Sequence, residues 1–342
     1  MRILVYGAGV LGGNLASNLY RQGKDVTLLA RGKWYEEIKR NGLSIHHYFG
    51  RKTNVKIPVI NGLRSDDRYD VIFVVVRYTQ IDSVVQPLKD NASRNIVFVG
   101  NNLKTDELTS ALSEKTVLFA FAMSAGHREK DYIRSVSLNK ITVGNTKGTS
   151  SQENFIRNVF SGTNFKVVYE SNMTDWLICH AASVIPIAFA CYYTNGDIKK
   201  LRRDKVYVNR IMDATVAAYT VLEDNGHEIM PDSDKDFRNP KFKKKYLPFY
   251  QFIFATKLGK LCTSDHAMNA VDEMSALNRD FKAYIGQYGD IPKQWTDLER
   301  DTNGYLKFLR NNGFTAVYSN QLPSTIPLMY VECRNDRKND DT

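Results

Sequence analysis

Short apolar runs alternate with helical periodicity from the first residues of the chain. Arg2 to Tyr6 predicts a strand, Leu11 to Gln22 a helix and Asp25 to Ala30 a second strand, which together form a βαβ unit. Asp70 to Val76 (DVIFVVV) is mainly β-branched and has no polar alternation, the pattern of a strand covered on both faces, so it belongs at the centre of a parallel sheet. A helix follows with Ile81, Val84, Val85 and Leu88 on one face, then a strand from Asn95 to Gly100, a helix near Thr105 to Ser113 and a strand from Thr116 to Phe121. Met123 to Gly144 reads as a hairpin, Ser150-x-x-Glu153 as a capping box opening another helix, and Lys166 to Glu170 as the last strand.

Beyond residue 170 the period changes. Asp175 to Tyr193, Asp204 to Asn225, Pro240 to Leu258, Asp265 to Ile285 and Trp295 to Asn312 all predict long helices. The expected architecture is therefore α/β: a parallel sheet domain over 1–170, an all-helical domain over 171–333 and a polar tail over 334–342. Trp176 to Tyr193 is apolar enough to raise the question of a membrane span, but His180 and Pro186 interrupt it and polar flanks enclose it, so a buried core helix is expected and no membrane partner.

Composition narrows the function classes. With 342 residues, 43% hydrophobic and 25% charged, the chain is long enough for about two globular domains. Cys179, Cys191, Cys262 and Cys333 are scattered without a C-x-x-C pair, and MRILVYGAGV has none of the features of a secretory signal, so a cytoplasmic setting without metal or disulfide frame is expected. The net charge of +10 invites a nucleic-acid reading until it is divided: 24 Lys/Arg face 15 Asp/Glu up to Glu170, and 23 face 22 beyond it. No stacking module accompanies the basic residues, and the later clusters at Lys199, Lys200, Arg202, Arg203 and Lys241, Lys243, Lys244, Lys245 read as solvated or offset charge, so no nucleic-acid partner is expected.

Gly7-Ala8-Gly9-Val10-Leu11-Gly12 lies between the first predicted strand and the first predicted helix, the context in which G-x-G-x-x-G binds a dinucleotide. Gly7 suits a tight turn, Gly9 lets backbone approach a pyrophosphate, and Gly12 lets the helix pack closely on the strand. The helix N-terminus then supplies amide donors and a positive dipole end. At the end of the second strand, where NAD-binding proteins place a carboxylate for the ribose 2'-hydroxyl, the chain reads Leu29-Ala30-Arg31-Gly32-Lys33. Arg31 can pair bidentately with a 2'-phosphate and Lys33 can add a point charge, so NADP(H) is the expected cofactor.

A Rossmann-type domain with Arg31, followed by a helical domain, resembles the ketopantoate reductase (2-dehydropantoate 2-reductase) family over nearly the whole chain. The resemblance rests on ILVYGAGVLGGNLASNL with LLARG, on DVIFVVVRYTQIDSVV, on VFVGNNLKTDEL and on WLICHAASVIPIAFA. It implies hydride transfer from NADPH to the ketone of a 2-oxo acid, with a place in pantothenate biosynthesis. Arg77 stands where the family has a cofactor-side lysine, and Asn101 matches the asparagine of its N-G motif. The family's substrate helix, W-x-K-L-x-x-N-x-x-x-N-P, is altered: anchored on Pro186, Leu177 replaces the lysine, and Ala181 and Ile185 replace the asparagines. Glu273 stands as counterpart of the glutamate that holds the substrate's hydroxyl.

Reduction of a ketone needs a group to stabilise or protonate the developing alkoxide. His180, one turn beyond Leu177, is a replacement acid, and Asn101 can hold the nicotinamide or the substrate carbonyl. His266, Asn269 and Glu273 fall at i, i+3 and i+7, a stripe that would present a second polar wall. Each has a bland reading: a hydrogen-bonded core histidine for His180, and an exposed helical turn for His266 and Glu273. His46, His47, His127 and His227 show no partner spacing. Two other readings stand beside the reductase: a catalytically silent NADP(H)-binding sensor, and a different hydroxy-acid or amino-acid-type dehydrogenase on a similar scaffold. A homodimer is possible on the long apolar helices.

Overall fold

The computed structural model describes residues 1–48 and 50–311, the last nine of them by backbone only; Cys333, the final residue of the last predicted helix and the 334–342 tail lie outside these. The first half runs β1 (Arg2–Tyr6), α1 (Val10–Arg21), β2 (Asp25–Leu29), α2 (Gly32–Asn41), β3 (Leu43–His47), β4 (Lys52–Val55), β5 (Val59–Ile60), β6 (Val71–Val74) and α3 (Asp82–Asp90). It continues with β7 (Asn95–Val99), α4 (Thr105–Ala111), β8 (Thr116–Arg128), β9 (Ile133–Gly144), α5 (Glu153–Phe160) and β10 (Lys166–Glu170). The helical half comprises α6 (Met173–Tyr193), α7 (Ile198–Arg203), α8 (Lys205–Asp224), α9 (Lys241–Ala255), α10 (Lys257–Cys262), α11 (Ser264–Asn269), α12 (Val271–Ile285) and α13 (Lys293–Asn311). These are Rossmann-type strands followed by a helical region, the expected class.

All ten strands join one sheet in the order β4-β3-β9-β8-β7-β6-β1-β2-β5, with β10 on β9. The β5-β2-β1-β6-β7-β8 portion is wholly parallel, and β6 lies between β1 and β7, the central place its unbroken apolar run requires. Ile3, Leu4, Val5, Val71, Ile72 and Phe73 are 0% exposed, so both faces of these strands are covered. Each such side chain contributes about 1.5–3 kcal/mol of burial. The antiparallel β8–β9 hairpin spans Thr116 to Gly144, joining the strand expected over Thr116–Phe121 to the hairpin expected over Met123–Gly144, and β9 also pairs with β3 and β10.

Three local expectations are corrected. The Ser150/Glu153 capping box does not form: Gln152 is the N-cap of α5, the Asn145 amide takes up the Ser150 carbonyl at 2.7 Å, and Glu153 pairs instead with Arg157. The helix expected over 240–258 ends at Ala255, where Thr256 turns extended and its hydroxyl accepts from Gly259 N at 2.9 Å to open α10. The helix expected over 265–285 breaks at Ala270 (φ −131°, ψ 33°), whose N–H closes a tight turn on Ala267 O. That break removes the single stripe proposed for His266, Asn269 and Glu273, because the first two sit on α11 and Glu273 on α12.

The chain divides into two compact units. One is Met1–Ala181 with Gly226–Lys235 and Ser275–Tyr284; the other is Ala182–Asn225 with Asp236–Met274 and the chain from Ile285 onward. The second unit has its own core, in which Phe189 meets Trp295 edge to face at 6.1 Å and Tyr219 meets Phe237 at 5.6 Å. Helix α6 is long and apolar enough to cross a membrane, yet 67% of its most apolar window is buried within the protein. Such burial is what a core helix shows.

Candidate active site

The turn between β1 and α1 is shaped by backbone contacts that exclude side chains. Gly7 sits at φ +122°, and a Cβ there would lie 2.1 Å from the Val75 carbonyl oxygen. A Cβ on Gly12 would lie 1.9 Å from the Gly7 oxygen and 3.3 Å from Val75 Cβ. Both positions therefore admit only glycine. Gly9 differs: a Cβ there would meet nothing within 4 Å, so space lies open beside the backbone. Helix α1 has no side-chain cap and no acidic residue in its first turn, leaving its N-terminal field to an outside anion. Ala8, Val10 and Leu11 complete the loop, and Gly7 N donates to Leu29 O at 3.1 Å, fixing it to the end of β2.

At that end Arg31 is extended (φ −125°, ψ 155°) and precedes α2; Arg31, Gly32 and Lys33 are exposed. Trp34, one residue on, is buried and donates its indole N–H to Ala8 O at 2.8 Å, tying the basic turn to the glycine loop. Arg128 at the end of β8 lies 5.4 Å from the Trp34 ring centroid, a cation–π contact. Sequence reasoning missed both Trp34 and Arg128, although a tryptophan three residues after Arg31 was the available signal.

Further along the carboxyl edge of the sheet, Arg77 follows β6 and is exposed, while Tyr78 beside it is buried and donates its hydroxyl to Asp280 Oδ2 at 2.8 Å. Burial, reinforced by that hydrogen bond, raises the Tyr78 pKa well above the usual phenol range. Asn101 follows β7 and Gly100 (φ +128°) and is half-buried. His180 is half-buried too, its ring 4.2 Å from Phe121 and stacked on Trp176 at 5.3 Å and 13°. Leu177, Ala181 and Ile185 are 2%, 1% and 0% exposed, so where the family carries a lysine and two asparagines this chain has closed apolar packing. His266 and Glu273, both half-buried, belong to the second unit, whereas His180 and Asn101 belong to the first.

His227, which shows no partner spacing in the sequence, finds its partners far along the chain. Its Nδ1 lies 2.6 Å from Asp175 Oδ1, and its Nε2 lies 3.1 Å from the Tyr284 hydroxyl. The other carboxylate oxygen of Asp175 accepts from Glu228 N at 2.9 Å and from Asn172 Nδ2 at 2.7 Å. Burial pushes the Asp175 carboxyl up, but the His227 hydrogen bond, the Glu228 N–H, the His227 charge and Asn172 outweigh it and hold the carboxyl below its ordinary range. Nearby, burial pushes the Cys179 thiol up to about 12, which leaves it inert.

Comparison with known proteins fits this arrangement. Residues 3–148 match the family model described as "Ketopantoate reductase PanE/ApbA". The chain carries a ketopantoate reductase family domain. It is 26% identical over 180 residues to the "Uncharacterized oxidoreductase YkpB" of Bacillus subtilis (strain 168), covering 51% of this chain and 58% of that one. It is 26% identical over 157 residues to a 2-dehydropantoate 2-reductase of Lactococcus lactis, covering 45% and 43%. The chain thus spans about half the length of these curated relatives. D-mandelate dehydrogenase, solved with NADH and anilino(oxo)acetate, shares the fold at a TM-score of 0.72 over 91% of this chain and 99% of that one, with 13% identity. The glycine loop, Arg31, Arg77 and Asn101 all lie within the matched ketopantoate reductase domain, and the altered helix lies beyond it.

Proposed function

We propose that this protein is an NADPH-dependent oxidoreductase that reduces the ketone of a small 2-oxo acid, not necessarily ketopantoate, to the hydroxy compound. The observation that carries the reading is the Gly7–Gly12 turn, closed to side chains at Gly7 and Gly12 and tied through Trp34 to a cationic turn where NAD-binding proteins keep a carboxylate. The open face at Gly9 and the uncapped start of α1 suit a pyrophosphate, held by the amides of the loop from Gly7 through Ala8, Val10 and Leu11 to Gly12. Arg31 and Lys33 would hold the 2'-phosphate, with Arg77 a further cation along the sheet edge. When bound, the dinucleotide supplies the hydride.

Asn101, at the carboxyl end of β7, is assigned to the nicotinamide or the substrate carbonyl, where open α/β sheets take their ligands. Sequence position offers Glu273 for a substrate hydroxyl and His180 for the proton, while His266, on a separate helix, no longer shares one wall with Glu273. A small-molecule substrate and a reducing cytoplasm complete the reading, and the long helices leave room for a homodimer.

Purified protein mixed with NADPH and a panel of 2-oxo acids should show loss of the nicotinamide absorbance, faster than with NADH. The rival outcome of this test is a silent NADP(H) sensor. Tight NADPH binding by calorimetry without turnover of any 2-oxo acid would establish that rival and sink the reductase.

A further inference from the structure

We infer that Asp175, His227 and Tyr284 form a proton relay in which Tyr284 is the catalytic acid and the other two are positioning residues, taking over the task of the lysine that Leu177 replaces. The inference rests on the reductase reading above. Its chemistry follows from the donor inventory. Asp175 is held ionised and can only accept, so Nδ1 of His227 carries a proton and donates it. When the imidazole is neutral, Nε2 accepts from the Tyr284 hydroxyl; when it is charged, Nε2–H donates to the phenolic oxygen and the Tyr284 proton is released to point onward. Asn172 and Glu228 N fix the carboxylate, so the relay is rigid at one end. Tyr284, half-buried, keeps the other end accessible.

Its place in the fold matches that task. Thr174, beside Asp175, meets Thr105 at 3.0 Å between hydroxyls, at the start of α4 just after β7. Asp280, one helical turn before Tyr284 on α12, takes the hydroxyl of Tyr78 just after β6. Helix neighbours of Asp175 and Tyr284 are thereby tied to segments leaving the carboxyl ends of central parallel strands, where open α/β sheets bind ligands. The imidazole is bonded to Asp175 from α6 and to Tyr284 from α12, and Glu228, next to it in the loop, pairs with Lys235. Lys235 is engaged with Glu228 and Asp232, and Asp175 is bonded to the ring.

In the reductive direction hydride adds to the carbonyl carbon and the C=O electron pair moves onto oxygen. Tyr284 gives its hydroxyl proton to that oxygen and takes the Nε2 proton of the His227 imidazolium. Asp175 keeps its charge, and water reprotonates the imidazole.

The test compares wild type with Tyr284→Phe, Asp175→Asn, His227→Ala and His180→Phe, measuring kcat and KM against pH with NADPH and the best 2-oxo acid, alongside NADPH binding. Tyr284→Phe should lower kcat by about 100-fold or more with KM and cofactor binding nearly unchanged. Asp175→Asn should lower kcat by about 10-fold with KM nearly unchanged, because the carboxylate no longer fixes the tautomer and orientation of the imidazole. Added imidazole should restore turnover to His227→Ala, a rescue that a merely structural role does not give, and this arm decides if Asp175→Asn fails to fold. A Tyr284→Phe enzyme with near-normal kcat overturns the relay alone. So does loss of turnover confined to His180→Phe. Wild type that binds NADPH but reduces no 2-oxo acid overturns the reductase reading and the relay together.

Discussion

Two regions of the same compact unit are built on opposite plans. The glycine loop is six contiguous residues whose working parts are backbone, and at Gly7, Gly9 and Gly12 what matters is the absence of a side chain. The Asp175–His227–Tyr284 chain gathers three side chains from three segments, 52 and 57 residues apart, and its backbone contributes a single N–H from Glu228. A backbone site fails when anything is added to it, while a side-chain site fails when one atom is taken away. The two should accordingly break under different substitutions.

The largest effect is expected from adding one methyl group. Gly12→Ala places a carbon 1.9 Å from the Gly7 oxygen and must push α1 away from β1, at a cost of about 3 kcal/mol or more. NADPH binding by calorimetry should be lost along with it. Gly9→Ala meets nothing within 4 Å, so it should fold normally and lose only the cofactor. If both variants fold and bind as wild type does, the loop is not the backbone device described.

At the relay, Asp175→Ala should cost about 3 kcal/mol in chemical denaturation at neutral pH, since it strips a buried hydrogen-bonded pair of one partner. The sign of its pH dependence follows from the depressed carboxyl. A group whose folded pKa lies below its unfolded value near 4 contributes stability that is present above that value and lost as pH falls through the folded pKa. The gap between wild type and variant should therefore be full at neutral pH and shrink on acidification below about pH 4. A gap that stays constant into strong acid would show that Asp175 acts by packing alone.

Sequence pattern reached the first region and not the second for a physical reason. Gly7, Gly9 and Gly12 act within one turn, so their spacing is the geometry. Val71–Val74 announced its central place in the sheet because burial on both faces leaves no polar alternation. His227 gave no such signal, since neither partner lies within a helical or strand period of it. The break at Ala270 was equally hidden: α11 and α12 read as one amphipathic run because alanine is a good helix former, and the turn that stops them is local backbone geometry. The short strands β3, β4 and β5 and the helices α2 and α7 escaped because their apolar runs are too brief to register against polar neighbours.

Cofactor choice gives an intermediate effect. Arg31→Glu restores the carboxylate that NAD-binding proteins keep at this turn and removes the cation proposed for the 2'-phosphate. A charge-assisted hydrogen bond of about 1.5–3 kcal/mol corresponds to a shift of roughly 10- to 100-fold from NADPH toward NADH in kcat/KM. An unchanged ratio would move the 2'-phosphate contact away from Arg31.

The smallest effect should come where the two plans meet. Trp34 is a side chain that serves the backbone loop: its indole N–H on Ala8 O is the tie between the basic turn and the glycine turn. Trp34→Phe keeps a ring beneath Arg128 and most of the apolar contact, but leaves the Ala8 carbonyl without its donor. One buried neutral hydrogen bond is worth about 1 kcal/mol, or 2–4 °C in Tm for a unit of this size. Because the loop's own backbone contacts remain, NADPH affinity should fall only a few-fold, and it should fall with NADPH and NADH alike if the tie positions the pyrophosphate turn. A loss confined to NADPH would instead mean that Trp34 acts by aiming Arg31, and the tie would then belong to the cationic turn and not to the glycine loop.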